Sequence, residues 1–273
     1  MDDGERLSRF VIGPLWLVGC GNLGRALLDG WLAAGVPPGS VAVINPSPRE
    51  LPAGVAYAST PSPALALPAV VVLAVKPKQL AEVSVALMPH AEGALIVSVL
   101  AGAGLARLAA AFPRARVARA LPNTPARIGQ GVTLLAGDLS TADRETVEAL
   151  GRALGTVHWV DEAEFDAATA VASSSPAWVF RFVEALAEAG VAAGLTPTLA
   201  QALAREAVAG AGAYAAKSSR SMDELAREVA SPGGMTQAGL DVLDAEPGVR
   251  TLMREAVRAA TLRAATLAKE ADR

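Results

Sequence analysis

The stretch Gly19-Cys20-Gly21-Asn22-Leu23-Gly24 limits the fold more than any other in the chain. It reads G-x-G-x-x-G, a weak pattern alone, and its setting gives it meaning. The apolar run Pro14 to Gly19 leads in as a strand. Asn22 to Ala34 leads out as a helix, with Leu23, Ala26, Leu27, Leu28 and Trp31 on one side. In such a turn Gly19 permits the tight bend, Gly21 lets a pyrophosphate approach the backbone, and Gly24 lets the helix pack close to the sheet. The helix N-terminus adds free N–H groups and the positive end of its dipole. Gly19, Cys20, Gly21, Asn22 and Leu23 are therefore candidate dinucleotide contacts. The plain alternative is a glycine-rich turn without a ligand. Nothing marks Cys20 as an activated thiol, so its backbone is what matters.

The rest of the first 160 residues continues the alternation. Val41 to Asn45, Gly54 to Ala58, Val70 to Val75, Leu95 to Val99, Arg116 to Leu121, Val132 to Ala136 and Thr156 to Val160 read as strands. Val70 to Val75 and Leu95 to Val99 are apolar throughout, as strands buried on both faces are. Strands alternating with helices imply an α/β fold, a mostly parallel, doubly wound sheet with helices on both faces. After Asp161 the strands stop. Ala, Leu, Glu and Arg, all good helix formers, dominate from there to Arg273. Thr196-Pro197 and Glu246-Pro247 look like helix starts. A length of 273 residues suits one large domain or two of ordinary size, and the change at Asp161 favours two. The expected boundaries are 14–160 and 161–273, packed directly on each other.

Ligands of open α/β sheets bind beyond the carboxyl ends of the strands. Three such ends carry candidate residues. The second strand ends in Asn45, followed by Pro46, Ser47, Pro48 and Arg49, with no acid to bind the ribose hydroxyls of NAD. Ser47 and Arg49 would suit a 2′-phosphate, which favours NADP(H) and leaves NAD(H) possible. The competing reading makes Arg49 a solvated charge beside Glu50. The fourth strand runs through Ala74 and Val75 into Lys76-Pro77, also at the ligand edge. Leu121-Pro122-Asn123-Thr124-Pro125 follows the sixth strand as a rigid loop, with Asn123 as a further cofactor candidate or simply a turn residue.

Composition excludes other classes. The formal charge of -3 supplies no basic excess for nucleic acid. The longest apolar run, Ala64 to Val75, is broken by Pro68 and falls short of the ~20 residues of a membrane span. Met1 to Arg9 lacks the apolar core of a signal peptide, which leaves the cytoplasm as the expected location. One cysteine, Cys20, forms no intrachain disulfide, and with only His90 and His158 beside it no structural metal site is expected.

The helical half holds one informative loop, Ala230-Ser231-Pro232-Gly233-Gly234-Met235-Thr236. It is expected to open a helix from Gln237 to Asp244. Ser231 and Thr236 bring hydroxyls, the glycines expose N–H groups, and a carboxylate suits such a helix N-terminus. Its bland reading is a helix start capped by Ser231 or Thr236.

Taken with the glycine loop, Val75-Lys76-Pro77, Leu121 to Pro125 and Asp166-Ala167-Ala168-Thr169-Ala170, the segment from Ser231 through Leu240 resembles the pyrroline-5-carboxylate reductase family. The resemblance runs from about Leu15 to Leu267. It implies an N-terminal Rossmann domain, an all-α dimerisation domain, and NAD(P)H-dependent reduction of L-1-pyrroline-5-carboxylate to L-proline, the last step of proline biosynthesis. It implies a homodimer or a ring of dimers, with the site between the Rossmann domain of one chain and the helical domain of its partner. Thr236 would bond the ring nitrogen as the catalytic residue, and Ser231, Gly234, Met235 and Thr236 would hold the substrate. Where the family reads Ser-Gly-Ser-Gly-Pro-Ala-Tyr, this chain has Ala172-Ser173-Ser174-Ser175-Pro176-Ala177-Trp178. That departure keeps a different cyclic imino acid open as substrate, and a non-catalytic NADP-binding sensor is the alternative from outside enzymology. No lysine lies between Asp161 and Gly194, which argues against a β-hydroxyacid reductase.

Overall fold

The computed structural model describes residues 13–271, with side chains through 267. Met1 to Arg9, read above for a leader, lies outside the described residues. By their packing, the described residues form two units. One holds residues through Ser174 together with those from Ala260 on, and the other is Ser175–Ala259.

The first unit is built on eight strands: β1 (Leu15–Val18), β2 (Val41–Ile44), β3 (Ala56–Ala58), β4 (Val70–Leu73), β5 (Leu95–Ser98), β6 (Arg116–Pro122), β7 (Gly131–Ala136) and β8 (Gly155–Trp159). They form one sheet in the order β3-β2-β1-β4-β5-β6-β7-β8. All neighbours are parallel except β6 and β7, where Arg119 faces Ala136 and Pro122 faces Thr133. A short 3-10 turn, Thr124–Ile128, makes that reversal, and Gly129 ends it at a φ of 68°.

The continuous apolar runs have a direct cause. Every residue of β1, β2, β4 and β5 is buried. Alternate side chains leave opposite faces of a strand, so an uninterrupted run feeds two cores. Leu15, Leu17, Val41, Val43, Val70 and Val72 pack with Leu27, Leu28 and Trp31 of helix α1 (Asn22–Ala33) on one face. Trp16, Ala42, Ile44, Val71 and Leu73 pack on the other, against Leu80 and Leu87 of α2 (Leu80–Leu87) and Leu108 of α3 (Leu105–Ala111). Helix α4 (Thr141–Arg152) adds Val147 and Leu150 to the first core. Strand order reverses beside β1, which pairs with both β2 and β4. That switch point is where an open α/β sheet leaves a crevice.

The composition changes at Asp161, yet the chain stays with the sheet through Ser174. Helix α5 (Phe165–Thr169) and the π-turn after it, Ala170–Ser174, explain this. Phe165 is fully buried among Leu121, Leu134 and Ala136. The Arg119 guanidinium, itself buried, stacks on the Phe165 ring at 3.6 Å and pairs with Glu162 at 3.0 Å. Glu162 Oε1 also accepts the Leu105 N–H at 2.9 Å.

The remaining helices are α6 (Ser175–Ala192), α7 (Pro197–Lys217), α8 (Met222–Val229), α9 (Met235–Asp244) and α10 (Val249–Ala271). Pro197 occupies the first turn of α7 and Thr196 caps it, accepting the Leu199 N–H. Glu246-Pro247 precedes its helix by more than expected, since α10 begins at Val249. The α6–α7 pair meets through small residues, with Ala187, Ala200 and Ala204 buried and Val183 against them. Large apolar side chains point outward instead: Phe180, Phe182, Leu199 and Leu203 are 65%, 49%, 47% and 48% exposed. Among the described residues, no helix is long and apolar enough to cross a membrane, and no cluster of His, Cys, Asp or Glu could hold a metal.

Candidate active site

The crevice at the carboxyl ends of β1, β2 and β4 opens as a cavity of about 460 Å³. Gly19 through Leu23 form its floor. Gly19 has a φ of 93° and donates its N–H to Ile44 O at 2.9 Å. A Cβ there would lie 2.6 Å from Ala74 O, and one at Gly24 would lie 2.3 Å from Gly19 O. Strand, loop and helix are thus closer than any side chain permits. Gly21, by contrast, faces clear space, with nothing within 4 Å of a Cβ built on it. It is also the N-cap of α1 and supplies no side-chain bond. The first N–H satisfied inside the helix is that of Arg25, bonded to Gly21 O. The N–H groups of the turn before it are left for a ligand. Cys20 is buried, and burial pushes its thiol pKa up while Arg25 and Arg49 pull it down.

Asn45 ends β2 as a brace. Its Oδ1 accepts the Cys20 N–H at 3.0 Å, and its Nδ2 donates to Ser47 O at 2.6 Å. Tyr57 donates its hydroxyl to Asn45 O at 2.9 Å. Asn45 and Arg49 line the cavity, whereas Ser47 does not. Arg49 is exposed and, among the described residues, has no ion-pair partner, Glu50 included. Across the opening stand Ala74, Val75 and Lys76. The Lys76 N–H is taken by Gln79 Oε1 at 3.1 Å, leaving the ammonium exposed at the rim.

Among the lining residues that escaped the sequence reading are Ser59 and Thr60, just past β3, and Gln79. The first two carried a usable signal, since they follow a strand at its carboxyl end like the residues that were named. Asn123 lies apart from this cavity. It is buried, its Oδ1 accepts the Val132 N–H at 2.9 Å, and its Nδ2 donates to Ala172 O at 2.8 Å. It ties the β6–β7 turn to the π-turn.

In the second unit, Ser231-Pro232-Gly233-Gly234 forms a tight turn. Gly233 has a φ of 69°, and the Gly234 N–H returns to Ser231 O at 2.9 Å. Helix α9 starts at Met235, two residues before the expected Gln237, because Gly234 caps it by backbone alone. Neither Ser231 nor Thr236 serves as the side-chain cap. Both are exposed, and neither hydroxyl has a hydrogen-bond partner among the described residues. Met235 is 95% exposed. A helix start without a side-chain cap, flanked by two uncommitted hydroxyls, is chemically a seat for a carboxylate.

Known proteins resemble this chain in sequence and fold. A family model described as pyrroline-5-carboxylate reductase dimerisation matches residues 162–267, and one described as NADP oxidoreductase, coenzyme F420-dependent, matches residues 15–102. The pyrroline-5-carboxylate reductase of Synechocystis sp. is 39% identical over 203 residues, covering 74% of this chain and 76% of its own. Among solved structures, a pyrroline-5-carboxylate reductase from Coxiella burnetii superposes with a TM-score of 0.87 at 31% identity, over 94% of this chain and 98% of the other. Pyrroline carboxylate reductase of Plasmodium falciparum, solved with NADP bound, gives 0.83 at 27% identity, over 94% and 98%. On its sequence and its fold alike, the chain belongs to the pyrroline-5-carboxylate reductase family.

Proposed function

We propose that the protein reduces the C=N bond of L-1-pyrroline-5-carboxylate to give L-proline, with NADPH as reductant. The residues present fit a dinucleotide: the open space before Gly21 and the unspent N–H groups of the α1 start suit a pyrophosphate, and Arg49 offers a free guanidinium with no acid at the β2 tip. When bound, NADPH supplies the hydride that the imine carbon accepts.

The protein's own part is placement and electrostatics. Gly19 to Leu23 hold the phosphates, Arg49 the 2′-phosphate, and Ala74 to Lys76 close the far wall. Residues 14–160 carry the cofactor in this reading. Residues 161–273 carry the substrate contacts and self-association, in keeping with the outward-facing Phe182 and Leu203. Ser231 and the N–H groups of Met235 and Thr236 hold the carboxylate, and Gly234, whose own N–H is bonded to Ser231 O, brings the backbone up to it. The Thr236 hydroxyl donates a hydrogen bond to the ring nitrogen, and the proton that this nitrogen needs as the carbon takes the hydride comes from solvent water. A threonine hydroxyl is a weak acid, so its contribution is orientation and charge stabilisation. The reading extends to a cytoplasmic location, where reduced nicotinamide cofactor is available.

The observation that carries this reading is the start of α9, without a side-chain cap, between two free hydroxyls. Thr236→Val tests it. Loss of one positioned donor lowers kcat by about a hundredfold or more, while Thr236→Ser keeps most of the rate. Wild-type turnover in Thr236→Val would remove Thr236 from the mechanism.

A further inference from the structure

The segment Asn45 to Glu50 is strapped down at both ends. At one end Asn45 bonds the Cys20 N–H and Ser47 O. At the other, Arg25 Nη1 donates to Glu50 O at 2.9 Å, across 25 positions of sequence. Pro46 and Pro48 restrict the backbone between the two ties. Of the strap's two charged residues Arg49 lines the cavity and Glu50 does not, and Arg49 has no ion-pair partner among the described residues.

The two arginines stand close to the same loop, since both pull on the Cys20 thiol, but they are not equivalent. Arg25 Nε donates to both carboxylate oxygens of Asp29 at 2.8 Å. Its charge is neutralised and its orientation fixed, which suits a strut better than a phosphate ligand. Arg49 has the opposite character, exposed and uncommitted.

We infer that Arg25 is a positioning residue for cofactor choice: clamped by Asp29, it holds Glu50 and so fixes where Arg49 presents its guanidinium to the 2′-phosphate. This rests on the NADP(H) reading of the site. It assigns the discrimination to a pair, one arginine that binds and one that aims it.

Calorimetric titration of the full chain with NADP⁺ and with NAD⁺ tests this directly, without turnover. The variants are Arg25→Met, Arg25→Lys, Arg49→Met and the double Arg25→Met/Arg49→Met. Arg25→Met is expected to weaken NADP⁺ by about tenfold and NAD⁺ by less than about twofold, the scale of one lost charge-assisted contact. Arg25→Lys recovers part of that loss. In the Arg49→Met background, Arg25→Met causes no further change in the NADP⁺/NAD⁺ ratio, because its effect passes through Arg49. An equal weakening of both cofactors, or an undiminished effect without Arg49, would overturn the assignment and leave Arg25 a structural residue. Wild-type protein that binds NADP⁺ no more tightly than NAD⁺ would defeat the parent reading, and the proposal with it, on the first titration.

Discussion

Cys20 donates its backbone N–H to Asn45 Oδ1 at 3.0 Å, joining the glycine loop to the tip of β2. The bond sets the height of the loop over the sheet, and Asn45 Nδ2 sets the course of the chain beyond it. Asn45→Ala breaks both ties. Since each net hydrogen bond is worth ~1 kcal/mol, KM for either nicotinamide cofactor should rise by up to about thirtyfold. Asn45→Asp keeps the acceptor and adds a negative charge at the strand tip, where NAD-binding folds carry an acid. Its NADPH-to-NADH ratio of kcat/KM should fall. Steady-state kinetics with both cofactors check the pair, and an unchanged ratio in Asn45→Asp would contradict the placement of the 2′-phosphate near Asn45.

Self-association should depend on the outward apolar faces of α6 and α7. Phe182 and Leu203 are each about half exposed, although the buried contact between these helices uses little more than alanine. Phe182→Glu with Leu203→Arg should shift sedimentation from dimer or larger species to monomer. The sheet unit, which lacks these residues, should keep its cofactor affinity. A double variant that still sediments as wild type would place the interface elsewhere.

Strands β1, β2, β4 and β5 were legible because parallel strands buried on both faces leave no polar interruption, as Val70 to Leu73 shows. The start of α7 was legible too, since Thr196-Pro197 is a side-chain cap followed by a proline. The start of α9 was misjudged by two residues because its cap, Gly234, acts through backbone alone and has no side-chain signature. Most of the cavity could be read from positions at strand ends. The roles within it could not: whether Asn45 braces or binds, or whether Asn123 faces a ligand or Val132, depends on where distant backbone groups fall.

Thr133 is 1% exposed, and its hydroxyl has no hydrogen-bond partner among the described residues. It borders a void of about 20 Å³ lined by Leu27, Trp31 and Leu150. Thr133→Val preserves the shape and removes an unsatisfied group, so urea denaturation should show a gain of about 1 kcal/mol. A loss would mean that the void holds a water bonded to the hydroxyl, for which it has room.

Stability should fall in acid partly through Glu148. Trp159 Nε1 donates to its carboxylate at 2.6 Å and Arg152 at 3.0 Å, holding its pKa below the usual carboxylate value. A depressed carboxylate stabilises the native state above the unfolded pKa of ~4.3 and loses that contribution as pH falls through the lower native value. Trp159→Phe removes the larger cause. The gap in urea midpoint between wild type and Trp159→Phe should be widest at neutral pH and narrow in acid. A gap that stays constant with pH would assign it to packing alone, such as the Arg144 guanidinium over the Trp159 ring at 3.7 Å.

Mixing purified protein with pyrroline-5-carboxylate and NADPH, with NADH in parallel, and following cofactor oxidation together with proline tests the reductase activity itself. Proline should form in step with NADPH consumed, and more slowly with NADH. Tight NADP⁺ binding without proline from either cofactor would contradict that activity, and would make the chain a binder of the cofactor rather than a reductase of this imine.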